Sequence, residues 1–259
     1  MGKVYLVGAG PGAVDLITLR GAELLKRADV VFHDALVQPE MLALAGAAKL
    51  VAVGKRCSRI STDQRFINRN LIEAAARYEV VVRLKGGDPM LFGRAQEEIE
   101  ALESSGVAYE IVPGVTSALA ASAEVGVSLT ERGVSRSVVF ATPRIGEGED
   151  FSDWAPAVVR ADTAVLYMAA VQAAEIAGIL ETQGMSPSTP VVLVENASLP
   201  ASRHIGCTLR GLRNGSAGEL TGPALLLFGD VFRKRAHAMI GQKLMADDIS
   251  LRAVPGNQA

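Results

Sequence analysis

In the first half of the chain, short apolar runs alternate with stretches of helical period. "KVYLVGAG", "DVVFHD", "KLVAVG", "EVVVRLKGGDP" and "AYEIVPG" read as strands. Between them, "DLITLRGAELLKRA", "PEMLALA", "QRFINRNLIEAAARY" and "RAQEEIEALESS" read as helices. A strand that returns only after a helix pairs in parallel with its predecessor, and near-continuous apolar runs belong to a sheet covered on both faces. Beyond "TSALAASAEVG" the style changes. Strands are predicted at "RSVVFAT", "TAVLYMA", "TPVVLVENAS", "SRHIGCTL" and "GPALLLFGDV". The third and fourth of these are joined by a proline-containing turn, so a hairpin and a mixed second sheet are expected. The predicted architecture is α/β. It has two α/β domains, residues 1–115 with a parallel five-stranded sheet and residues 116–243 with a mixed one. A tail over 244–259, which lacks periodicity, is expected to be mobile.

Composition narrows the function classes. Of 259 residues, 49% are hydrophobic and 21% charged, with a net charge of −2, the profile of a soluble globular protein rather than one that coats nucleic acid. No stretch approaches the ~20 apolar residues of a membrane span. The N-terminal apolar run is interrupted by glycine, proline and aspartate, unlike a signal peptide. Cys57 and Cys207 are 150 positions apart, and His33, His204 and His237 are scattered, so no metal site is expected. Two lone cysteines suit a reducing cytoplasm.

Several motifs fall at predicted strand ends. "VGAGPG" resembles a nucleotide-binding glycine turn, with Asp34 placed to touch a ribose, but Pro11 removes one N–H that a phosphate would need. In "KGGDP", Gly86 and Gly87 let a ligand lie on bare backbone, while Asp88 and Pro89 also read as the cap and first residue of a helix. "PGVTSA" repeats this arrangement, with Thr116 and Ser117 placed to cap a helix or to meet a carboxylate. Asp34 and Lys55 are charges at the edge where α/β sheets do chemistry. Glu97 and Glu98 suit a first helical turn, whereas Arg94 opposes the helix dipole and is the better candidate to face a ligand.

Taken jointly, "VYLVGAGPGAVDLITLRG", "VVFHDALV", "VGKR" with "QRFIN", "VVRLKGGDPMLFGRAQEE", "VPGVTSALAASAEVGVSLT", "VLYM", "TPVVLVENAS" and "GPALLLFGDV" resemble the tetrapyrrole methylase family, and within it the uroporphyrinogen-III C-methyltransferases. The resemblance runs from Val4 to about Val231. It implies a class III methyltransferase fold with S-adenosylmethionine in a cleft between the domains. It further implies C-methylation of uroporphyrinogen III at C2 and C7, giving precorrin-2 through precorrin-1 for sirohaem, cobalamin or haem d1 synthesis.

Residue by residue, the implied cofactor contacts are Pro11, Gly86, Gly87, Asp88, Leu91, Thr116, Ser117, Met168, Ala197 and Ala224. Asp34 would accept a proton and Lys55 donate one. Arg94, Glu97 and Arg132 would line the substrate side, where arginines suit a tetrapyrrole bearing eight carboxylates. The implied partners are uroporphyrinogen III, S-adenosylmethionine or S-adenosylhomocysteine, and a second copy in a homodimer. This chain reads "LTER" where the family commonly has "LTHR", putting Glu131 in place of a histidine, and "TPR" ending in Arg144 where "TGH" is usual. Alternatives are another precorrin methyltransferase of the same fold, a non-catalytic S-adenosylmethionine-binding relative, and, on "GAGPG" alone, a nucleotide-dependent oxidoreductase.

Overall fold

The computed structural model describes residues 1–53, 64–144 and 152–252. The chain divides into two compact units, Met1–Ala120 and Ala121–Ala259. In the first, the elements run β1 (Lys3–Gly8), α1 (Leu19–Arg27), β2 (Val30–His33), α2 (Pro39–Leu42), β3 (Lys49–Ala52), α3 (Gln64–Ala75), β4 (Val80–Lys85), α4 (Ala95–Ser104) and β5 (Tyr109–Val112). Helix α5 (Ser117–Val125) then leads into the second unit.

The first sheet has the order β3-β2-β4-β1-β5 and every pairing is parallel, as the alternation predicts. Its two faces carry separate cores. Leu24 and Leu25 of α1 pack with Val7, Val31 and Leu84 on one side, and Ile67, Leu71, Ile99 and Leu102 of α3 and α4 pack with Val4, Leu6 and Val81 on the other. The neighbours β1 and β4 send their connections in opposite directions, β1 towards β2 and β4 towards β5. Right-handed crossovers running in opposite directions need opposite faces, so the loops after β1 and β4 part here and create the sheet's topological switch point.

The second unit holds β6 (Val138–Ala141), α6 (Ala155–Arg160), β7 (Thr163–Leu166), α7 (Ala173–Thr182), β8 (Pro190–Glu195), β9 (Arg203–Thr208), α8 (Leu209–Arg213), β10 (Ala224–Gly229) and α9 (Arg233–Arg252). Its sheet order is β6-β7-β10-β8-β9. Strands β6 and β7 are parallel, β10 is antiparallel to both of its neighbours, and β8 and β9 form the expected hairpin, so the sheet is mixed. Leu166, Ile176, Leu180, Leu193, Leu226 and Phe228 form its core.

Local starts differ from expectation in two places. Helix α1 begins at Leu19, capped by the Thr18 hydroxyl on the Gly21 N–H at 3.1 Å, rather than near Asp15. Residues after "KGGD" form a turn, and α4 begins only at Ala95. Helix α9 carries the chain on through Met245 to Arg252, where the sequence shows no amphipathic period.

Candidate functional site

In the first unit, the candidate residues gather at the carboxyl ends of the parallel strands. Pro11 follows β1, Asp34 follows β2, Gly86, Gly87 and Asp88 follow β4, and Thr116 follows β5. Lys55 would follow β3 but lies outside the described residues.

The loops at the switch point are locked to one another. Gly10 and Gly87 exchange backbone hydrogen bonds, at 3.2 Å from the Gly10 N–H and 2.7 Å from the Gly87 N–H. The Ala9 N–H donates to the Lys85 carbonyl at 2.8 Å. Two amides of the glycine turn are therefore used internally, and the turn does not open a helix, so the geometry of a phosphate cradle is absent there. Asp88 braces two loops: Oδ1 accepts from the Met90 N–H and Oδ2 from the Gly114 N–H, both at 2.8 Å. Its carboxylate caps a turn rather than a helix, and both oxygens are already engaged by backbone. Gly8 and Gly114 meet so closely that a Cβ on Gly8 would come within 2.6 Å of the Gly114 Cα.

Over Gly86 and Gly87 the protein leaves room. A Cβ added at Gly86 would meet only the Leu36 Cβ, at 3.8 Å, and one added at Gly87 would meet nothing within 4 Å. Gly87 has φ +67°, a left-handed conformation that itself favours glycine. This rim of bare backbone is held by the Gly10 pair and by Asp88. Leu91 is half-buried just beyond it, and Thr116 and Ser117 are half-buried where α5 begins.

Beneath Asp34 lies a charged network that the sequence reading missed. Arg83 and Lys85 are 2% and 3% exposed, and Glu98 is 0% exposed. Residues two apart on a strand share a face, so both cations of β4 point to α4. Arg83 donates from Nη2 to Asp34 Oδ1 at 2.5 Å and from Nε to Glu98 Oε1 at 2.9 Å. Lys85 Nζ reaches both Glu98 oxygens at 3.0 Å, and Gln64 Nε2 reaches Oε1 at 3.2 Å. Glu98, assigned from sequence to the helix dipole, is the counter-charge of two buried cations. Burial and the Arg83 charge hold the Lys85 ammonium below its usual pKa, with Glu98 and Asp34 acting the other way. The signal available in the sequence was the Arg-x-Lys pair inside a buried apolar run. The "QRFIN" motif also gains a structural role: Gln64 holds Glu98, Ile67 is buried, and Asn68 Nδ2 donates to the Glu97 carbonyl at 3.0 Å.

Arg94 precedes α4 in a left-handed conformation, φ 55°, and forks onto Glu97 at 2.6 and 2.8 Å. It stands outside the helix, and its conflict with the dipole is answered by this ion pair. Both side chains are about half exposed, so the pair lies at the protein surface.

In the second unit, Met168 follows β7, Ala197 follows β8 and Ala224 opens the antiparallel β10, so the topology sets all three at the same end of the three central strands. Met168 (φ 55°) is exposed, and Arg144 Nη1 lies 3.9 Å from its sulfur. Ala197 is buried between two left-handed residues, Asn196 (φ 54°) and Ser198 (φ 70°). Arg132 is exposed in a turn closed by the backbone pair of Glu131 and Ser135, at 3.1 and 2.8 Å. Among the described residues there is no cluster of potential metal ligands, and no helix is long and apolar enough to cross a membrane.

Comparison with known proteins gives this geometry a context. The profile described as Tetrapyrrole (Corrin/Porphyrin) Methylases matches residues 3–213. A uroporphyrinogen-III C-methyltransferase from Pseudomonas aeruginosa is 42% identical over 233 residues, covering 90% of this chain and 95% of that protein. A siroheme synthase from Psychrobacter sp. is 41% identical over 89% of this chain, which spans only 48% of that longer protein. A uroporphyrin-III C-methyl transferase from Thermus thermophilus, solved in complex with S-adenyl homocysteine, superposes with a TM-score of 0.79 at 40% identity, covering 90% of this chain and 94% of that one.

Proposed function

The chain belongs to the tetrapyrrole methylase family, and from that premise we propose that it methylates uroporphyrinogen III at C2 and C7, giving precorrin-2 by way of precorrin-1. The observation that carries the reading is the open backbone rim at Gly86 and Gly87, braced at the switch point of a fold shared with a transferase solved with the demethylated cofactor. S-adenosylmethionine, when bound, supplies an electrophilic methyl group on a sulfonium. We assign its contacts to Pro11, Gly86, Gly87, Asp88, Leu91, Thr116 and Ser117 in the first unit and to Met168, Ala197 and Ala224 in the second.

The chain's own work is orientation and proton handling. A braced rim fixes where the methyl donor lies, and alignment of two reactants is a large part of the barrier in a displacement. Asp34 is assigned as the acceptor of the proton that leaves the macrocycle, and Arg83 fixes that carboxylate at 2.5 Å. Lys55 is assigned as proton donor. Arg94 and Arg132, with Glu97 beside Arg94, are assigned to the substrate carboxylates. We further propose a homodimer located in the cytoplasm, as the family resemblance and the two lone cysteines suggest.

The deciding experiment supplies S-adenosylmethionine with enzymatically made uroporphyrinogen III or, in a parallel reaction, with precorrin-2, and reads the product by mass. Two added methyl groups are expected. Methylation of precorrin-2 instead would identify a sister methylase, and tight S-adenosylhomocysteine binding without transfer would identify a non-catalytic relative.

A further inference from the structure

The second unit contains a buried acid to which the proposed reaction gives no part. Glu195 ends β8 and is 0% exposed. Oε1 accepts from the backbone N–H groups of Thr221 at 2.5 Å and Gly222 at 2.7 Å, and from the Thr221 hydroxyl at 3.3 Å. Oε2 accepts from Arg203 Nε at 2.6 Å, and Arg203 Nη2 continues to the Glu219 carbonyl at 2.7 Å. One carboxylate thus ties together the end of β8, the start of β9 and the segment that enters β10. Burial alone would raise its pKa, but the donors from Gly222, Thr221 and Arg203 outweigh burial and hold it below the ordinary value, so Glu195 stays ionised at neutral pH.

Glu195 also stands between two assigned cofactor contacts. Ala224 is its cross-strand partner, and Ala197 is two residues further along the chain. The turn that follows Glu195 and holds Ala197 is unusual. Asn196 and Ser198 both take left-handed conformations, which non-glycine residues rarely adopt and which persist only where the surroundings over-determine them. The Asn196 N–H donates to the Pro223 carbonyl at 2.9 Å, and the Ser198 N–H donates to Glu124 Oε1 at 2.9 Å. Gly222 packs directly on the Asn196 side chain, so a Cβ at position 222 would collide with its amide. The Gly222 N–H that sets this approach is the one Glu195 holds.

We propose that Glu195 is a positioning residue for the methyl donor: by clamping residues 221–222 against the Asn196–Ser198 turn, it sets where Ala197 and Ala224 present their backbone and small side chains. The inference rests on the reading that these alanines contact S-adenosylmethionine. A site whose supporting shell is fixed in advance loses less to ordering on binding, so loosening the clamp weakens affinity without touching the chemistry.

The test compares the wild type, Glu195→Gln, Arg203→Met and Ala224→Leu in the full chain. It reads S-adenosylhomocysteine Kd by calorimetry, KM for each substrate, kcat and Tm. Glutamine keeps one acceptor oxygen but turns a donor towards Arg203, so Kd and KM for S-adenosylmethionine should rise about 10-fold, the scale of one lost charge-assisted hydrogen bond. KM for uroporphyrinogen III and kcat should hold. Should Glu195→Gln fail to fold, Arg203→Met, at a half-exposed site, should show the same pattern at smaller amplitude. A folded variant with lowered Tm but unchanged Kd and KM would make Glu195 a stabiliser of the fold only and overturn the proposal. Ala224→Leu separates the two levels. If it lowers affinity while Glu195→Gln does not, positioning fails alone, and if it leaves affinity intact, the cofactor reading fails and the proposal falls with it.

Discussion

Arg83 Nη2 lies 2.5 Å from Asp34 Oδ1, joining a guanidinium that is 2% exposed to a carboxylate that is 31% exposed. The cation is anchored from behind by Glu98, so the acid at the rim is held by a partner that cannot swing away. Asp34→Asn keeps the size and one acceptor for Arg83 but removes the base. Turnover should fall by about 10²–10⁴-fold while S-adenosylhomocysteine affinity stays level. Steady-state rates beside calorimetry check this, and unchanged turnover with an unchanged pH–rate profile would remove Asp34 from the chemistry.

Arg83→Met has a different expected signature. It strips one cation from a buried cluster and leaves Glu98 with Lys85 and Gln64. Breaking a buried pair from one side costs about 3–5 kcal/mol, so chemical denaturation should show a large loss of stability. A variant of wild-type stability would mean that the network is not held as described.

Gly86 and Gly87 are adjacent but should respond differently to valine. Gly86 has ordinary backbone and space around its Cβ position, so Gly86→Val should keep the wild-type Tm and lose S-adenosylhomocysteine affinity. Gly87 is left-handed, and a side chain there costs roughly 1–2 kcal/mol before any ligand is considered, more for a β-branched one. Gly87→Val should therefore lower Tm as well. Calorimetry on folded Gly86→Val is the cleaner test, and unaltered affinity would place the cofactor elsewhere.

Arg94 and Glu97 form a bidentate pair whose side chains are 54% and 45% exposed. Exposed pairs of this kind contribute about 0–1 kcal/mol, so Arg94→Lys should barely move Tm. If Arg94 grips a substrate carboxylate, lysine replaces its planar fork poorly and KM for uroporphyrinogen III should rise. A sharp fall in Tm with KM retained would assign the pair to structure instead.

Acid should act through Glu195. Its folded pKa lies below the ordinary 4.5 of an unfolded chain, so the unfolded state binds the proton more readily. The stability it contributes is fully present above about 4.5 and is lost as pH falls through the folded pKa. Wild type should therefore lose more stability than Glu195→Gln on acidification from neutral pH, and the gap between them should narrow. Parallel Tm–pH curves would show that folding leaves the Glu195 pKa unshifted and that its donors do not hold it down.

Much of this protein was written locally. Alternating apolar runs and helical stretches dictated the parallel sheet, the proline-containing turn dictated the β8–β9 hairpin, and paired glycines after β4 marked the rim, because periodicity and turn chemistry are properties of neighbouring residues. Helix starts were less legible: Thr18, not the glycine turn, caps α1, and Asp88 spends its carboxylate on Met90 and Gly114. The partners of buried charges were decided only by tertiary structure. Arg83 and Lys85 read as interruptions of an apolar strand until α4 brings Glu98 over them, and Glu195 reads as a strand end until Thr221 and Gly222 return beside it. A buried charge must find its counter-charge or its donors wherever the fold delivers them, and that place is set by which elements pack together rather than by spacing along the chain.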